Sequence, residues 1–148
     1  MPVNAEAVGR VYGPYDAYEV SRVKIREFAD AVDARAAEHR DVEAARGAGF
    51  ADLVAPTTFA VAVAQRAEFR AIDDPDLGVD FSRVVHADQR FTHHRPIVAG
   101  DILEATVHIE NVAVRAGISM LTSRTELTAP GGESVCTVVS TLAVREDA

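Results

Sequence analysis

Six consecutive residues, Phe59-Ala-Val-Ala-Val-Ala64, present no polar group on any side of a helix. A helix that is apolar all round for two turns has to be enclosed, because no face of it can meet water at low cost. Thr57 or Thr58 can cap its start. Only the later residues Gln65, Arg66, Glu68 and Arg70 are expected to reach solvent. The alanines at 60, 62, 64 and 67 keep the helix thin, so that a sheet can wrap closely around it.

The second half of the chain supplies such a sheet. From Val84 onward the hydrophobic period changes to two, and Leu103, Ala105, Val107 and Ile109 alternate with Glu104, Thr106, His108 and Glu110. Arg115-Ala116-Gly117 and Ala129-Pro130-Gly131-Gly132 are turn signals spaced for long antiparallel hairpins. The last strand, Ser134 to Val144, carries apolar residues on both faces at several positions, so it belongs in the middle of the sheet, with Cys136 as a packing residue. One long buried helix wrapped by a curved antiparallel sheet is an α+β domain of the hot-dog arrangement. Such a sheet leaves an edge strand, and pairing it with a second copy is a common way to cover it, so a dimer is expected.

The first half is helical. Ser21 can cap a helix from Arg22 to Val32, in which Ile25, Phe28, Ala29 and Val32 form one apolar stripe. A shorter helix is expected from Asp41 to Ala48, stopped by Gly47 and Gly49. Asp73-Asp74-Pro75-Asp76 closes the buried helix and reads as a solvated loop, since it lacks the glycine and distal glutamate of a calcium loop. At 148 residues, residues 1–148 form a single domain.

Composition removes several classes of function. A net charge of −8 gives no global attraction for nucleic acid. One cysteine excludes an internal disulfide framework and suits a reducing compartment. The start of the chain, Met1 to Glu6, lacks the basic and apolar segments of a signal peptide. The longest uncharged run, Leu53 to Gln65, is shorter than the roughly 20 apolar residues of a spanning helix, so a cytoplasmic protein without a membrane span is expected. His86, Asp88 and Arg90 share a strand face, but no metal-ligand spacing is present, and neither a metal nor a cofactor is expected.

Several separate stretches carry a family resemblance. Val84 to Leu103, with Gln89, Phe91, Arg95-Pro96 and Gly100-Asp101-Ile102-Leu103, is similar to the strand-turn-strand of MaoC-like hydratases and dehydratases. Tyr18 to Phe28 and Leu53-Val-Ala-Pro-Thr-Thr-Phe59 resemble the actinobacterial branch of that family, which includes hydroxyacyl-ACP dehydratase subunits and the FAS1-like dehydratase domain. The resemblance implies a hot-dog fold and the interconversion of (3R)-hydroxyacyl and 2-enoyl thioesters in fatty-acid elongation. The substrate would ride on acyl carrier protein or coenzyme A.

Active members of the family carry Gly-Asp-x-Asn-Pro-x-His-x-Asp after the first helix, and its first Asp and its His are the catalytic pair. The matching segment here runs from Asp33 to Asp41. His39 and Asp41 match, Ala34 stands in the slot of the catalytic aspartate, and Asp33 lies one residue early, in the glycine position. Hydration requires an aligned water and groups that move protons, and alanine does neither. A one-residue slip could bring Asp33 inward, while His39 could equally be an ordinary histidine near a helix start. The resemblance also implies that the helix start at Thr57, Thr58 and Phe59 polarises the thioester carbonyl, with Thr57 and Thr58 as simple caps the alternative. Arg90 and Arg95, with His93, would bind carrier phosphates, or else form a solvated strand end.

Three functions follow. The first is a hydro-lyase in which His39 and Asp33 share the proton transfers. The second is a catalytically incomplete subunit that pairs with a catalytic hot-dog chain and shapes the acyl tunnel. A thioesterase is the weakest of the three, because the buried helix has no acid before Glu68.

Overall fold

The computed structural model describes residues 2–146. After short strands β1 (Val11–Tyr12) and β2 (Tyr18–Glu19) come helices α1 (Arg22–Ala31), α2 (Val42–Gly47) and α3 (Ala60–Ile72). Four longer strands follow: β3 (Val84–His93), β4 (Ile102–Arg115), β5 (Ile118–Thr128) and β6 (Ser134–Arg145). The sheet order is β1-β4-β5-β6-β3, with β2 also pairing with β4, and every pairing is antiparallel. Helix α3 lies against the inner face, so the chain has the α+β hot-dog arrangement.

The patterning explains the placement. Leu103, Ala105, Val107 and Ile109 are all buried against α3, and β6 runs between β5 and β3 as its two apolar faces require. The β4–β5 hairpin turns on Ala116-Gly117, both with positive φ, the backbone of a two-residue turn matched to strand twist. Ser21 caps α1 by accepting the Lys24 N–H, and Asp41 caps α2 by accepting the Glu43 N–H. Among the described residues no helix is long and apolar enough to cross a membrane.

Two local expectations need correction. Neither Thr57 nor Thr58 caps α3: the helix begins at Ala60, and Phe59 before it already has helical φ and ψ. A threonine cap requires extended backbone at the helix boundary, whereas here three tight turns lead in, with Phe59 N–H bonded to Pro56 O, Val61 N–H to Thr58 O and Ala62 N–H to Phe59 O. Glu68 does not reach water either. Its side chain is only 3% exposed and faces the inner surface of the sheet.

Candidate functional site

The segment after α1 decides what the site can contain. Asp33 has φ 56 and is the left-handed residue just past the end of α1, with Ala34 N–H bonded back to Ala29 O at 2.8 Å. That conformation suits glycine and is tolerated by aspartate. The turn sends the Asp33 carboxylate into solvent, where its side chain is 75% exposed and accepts from Arg35 Nε at 2.8 Å. Asp33 thus ends a helix, and the alternative of a one-residue inward slip is not what the structure shows. Ala34 is half-buried, and its carbonyl accepts from Arg40 Nη2 at 2.9 Å.

His39 sits differently. Residues 37–39 form one 3-10 turn that docks on the segment before α3: Val54 N–H donates to Glu38 O at 3.1 Å, and His39 Nδ1 lies 2.7 Å from Val54 O. A carbonyl can only accept, so Nδ1 carries the proton and Nε2 is the basic nitrogen of the neutral ring. The ring borders a pocket of about 590 Å³ with apolar walls from Phe50, Val54, Ala55, Pro56 and Ile97. Its polar groups are Glu38, His39, Thr57, His93, His94 and Arg95. The chain just before α3, from Val54 to Thr57, forms one side of this pocket.

Of the residues expected at the site, the structure brings together His39, Thr57, His93 and Arg95. Thr58 is exposed outside the pocket lining, and Phe59 is wholly buried, edge-on to Phe28 with ring centroids 5.4 Å apart. Arg90 is exposed beside Asp88 and lies away from the pocket. Arg95 is at the pocket but already occupied. It grips Asp101 with Nη1 and Nη2 at 2.8 and 3.0 Å and reaches Glu133 with Nε at 3.1 Å. A guanidinium with two carboxylates has little left for a phosphate, which favours the solvated strand end of the two alternatives for Arg95. Glu38 and His94 were not among the expected site residues. Glu38 adjoins His39 in sequence, which was a usable signal, whereas His94 enters only because β3 ends at the pocket.

Glu68 forms a second polar centre inside the core. Ser140 Oγ donates to Glu68 Oε1 at 2.8 Å, and the Gln89 side-chain amide lies 3.0 Å from the same hydroxyl. Burial pushes the Glu68 carboxyl above its ordinary range, against the opposing pull of the Ser140 hydrogen bond, His86 and Thr125. The folded protein therefore holds the Glu68 proton more tightly than the unfolded chain does. Its contribution to stability is fully present below the ordinary glutamate range and declines as pH rises through the raised value. Urea midpoints measured from pH 4 to pH 9 are expected to fall less steeply in Glu68→Gln than in the parent, and equal slopes would disprove the assignment.

Comparison with known proteins agrees with the fold. Residues 6–138 match the family model described as the FAS1-like dehydratase domain region. A UPF0336 protein of Saccharopolyspora erythraea is 52% identical over 98% of this chain and 93% of its own length. A chain of the HadBC (3R-hydroxyacyl-ACP dehydratase) complex of Mycobacterium tuberculosis superposes with a TM-score of 0.86 at 32% identity, over 97% of this chain and 99% of that one. A MaoC-like dehydratase superposes with a TM-score of 0.87, also at 32% identity, over 95% of this chain; this chain spans only 42% of that longer one.

Proposed function

The chain belongs to the FAS1-like dehydratase domain family, and from that premise we propose that it is a subunit of a cytoplasmic hydratase/dehydratase acting on 3-hydroxyacyl and 2-enoyl thioesters in fatty-acid elongation. In this reading it binds the acyl thioester, on acyl carrier protein or coenzyme A, and a partner hot-dog chain supplies the complete acid–base pair. The carrying observation is Asp33, which is turned into solvent and held by Arg35 while Ala34 offers no acid. The hydration step requires a carboxylate within hydrogen-bond reach of the reacting water, and this chain presents none from the position the family uses.

Strand β3 supports pairing. It bonds β6 along one side, and among the described residues no strand covers its other side over Val84–His93. A free ten-residue edge is a template for a second chain. The HadBC protein is described as a complex, which supports a heteromeric partner here.

The His39 tautomer favours a second reading, in which this chain is itself a hydratase with His39 as base and Glu38 as the nearby carboxylate. Loss of enoyl-thioester absorbance separates the two. The purified chain alone is expected to show no turnover, and turnover is expected when it is mixed with a MaoC-like chain that retains the Asp-His pair. Turnover by the chain alone, reduced on the order of 10²–10⁴-fold by His39→Ala, would replace the subunit reading with the hydratase reading.

A further inference from the structure

A separate groove of about 350 Å³ runs along the outer side of α3, under the strap of residues 13–19. None of the residues lining it borders the His39 pocket. Arg66 and Arg70 project into it one helical turn apart, each stacked on a tyrosine of the strap. The Arg66 Cζ lies 5.2 Å from the centre of the Tyr18 ring, and the Arg70 Cζ lies 4.2 Å from that of Tyr15.

The two rings are fixed shelves. Tyr15 N–H bonds Ala105 O at 3.0 Å, Tyr18 pairs with Leu103 in the β2–β4 ladder, and Val20 N–H bonds Asp101 O at 2.8 Å. Gly13 lets the strap lie this close, since a Cβ there would meet Ala105 O at 2.8 Å. A guanidinium stacked on an aromatic face loses rotamer freedom but keeps its N–H edge available.

Stacking on a fixed ring and the lack of an acid partner coincide in these two arginines. Arg22, Arg40, Arg95 and Arg124 each have a carboxylate oxygen within 2.8 Å. Among the described residues, neither Arg66 nor Arg70 forms such a pair within 4.0 Å, in a chain of net charge −8. The nearby Asp74 is engaged by the Tyr12 hydroxyl at 2.7 Å and by Arg10 at 3.6 Å, and Asp16 and Glu27 stand on the rim and beside Tyr18. Two immobilised positive forks without counter-charge match a phosphate dianion better than a carboxylate, which one fork would satisfy. The groove floor of Val63, Ala67, Leu103 and Ala105 is apolar and suits the organic part of an ester.

We propose that the Arg66–Arg70 groove is a binding site for a phosphate ester, distinct from the His39 pocket. The site stands whether or not the His39 pocket turns over a thioester. Calorimetric titration of the intact chain at low ionic strength would use pyrophosphate, adenosine 3′,5′-bisphosphate and 4′-phosphopantetheine as probes. At least one is expected to bind with a sub-millimolar Kd. Affinity should fall at least tenfold in Arg66→Gln and in Arg70→Gln, fall further in the double variant, and stay unchanged in His39→Ala. Preference for adenosine 3′,5′-bisphosphate or for phosphopantetheine would identify the source of the phosphate, and equal binding of pyrophosphate would show that the phosphate alone is read. No binding of any probe by the folded protein would overturn the proposal, as would binding that survives the double variant. Loss of an acidic protein partner in the variants, without phosphate binding, would also overturn it and assign the two arginines to a protein interface.

Discussion

Phe59→Ala is expected to destabilise the protein by about 3–5 kcal/mol, the range for deleting a buried aromatic ring. The ring has no exposed surface, packs edge-on against Phe28 of α1, and sits at the residue from which α3 starts. Its removal opens a cavity where α1, α3 and the preceding loop meet, and a backbone fixed by the Phe59 N–H bond to Pro56 cannot collapse far into it. Against a total stability of about 5–15 kcal/mol for a domain of this kind, such a loss brings the chain near unfolding at 37 °C. Urea denaturation followed by circular dichroism measures it. Phe59→Leu keeps most of the volume and should cost under about 2 kcal/mol. Thr58→Ala should cost less than about 0.5 kcal/mol, because no cap is lost. A Phe59→Ala loss below about 1.5 kcal/mol would mean that the ring is not part of the packed junction.

The contrast between Phe59 and Thr58 shows which parts of this molecule local sequence reports. The all-apolar stretch at 59–64 dictated burial of Phe59, Ala60, Val63 and Ala64, though Val61 and Ala62 stay half-exposed, and the period-two run at 103–109 dictated the inner face of β4, since each depends only on neighbours along the chain. The Ser21 cap is equally local, as it spans three residues. Glu68 was misread because what makes its burial tolerable is Ser140, seventy-two positions later and across the sheet. Periodicity could place Glu68 on a helix face but could not say that a serine would meet it there. The pocket was legible only in part for the same reason. His39, Thr57 and Arg95 come from three separate segments, and counting along the Asp33–Asp41 match named His39, whose ring borders the pocket. The same counting could not show that Asp33 takes a left-handed backbone, and that conformation, more than its position in the sequence, turns its carboxylate outward.

Asp101→Ala is expected to cost about 3 kcal/mol, at the low end for breaking a buried ion pair. Asp101 accepts both Nη groups of Arg95 and also the Val98 N–H at 2.9 Å, so one carboxylate closes the whole 95–101 loop. The side chains are only 27% and 13% exposed, which limits screening, while Glu133 remains as a second partner for Arg95 and moderates the loss. The loop carries Arg95, Pro96 and Ile97 into the pocket wall, and its backbone holds the chain before α3 through Ala55 N–H to Ile97 O at 2.8 Å. The Arg95-Pro96 and Gly100-Asp101 motifs that carry the family resemblance therefore act here as a clasp that shapes the pocket. A double-mutant cycle tests this directly. Arg95→Met with Asp101→Leu should be less destabilising than Asp101→Ala alone, because the one carboxylate left without Arg95 is Glu133, which is 57% exposed and stays hydrated, and the pair should show a coupling energy above about 1 kcal/mol. A coupling near zero would break the clasp assignment. If Arg95→Met at the same time weakened thioester binding more than tenfold with the urea midpoint unmoved, Arg95 would be a ligand contact after all.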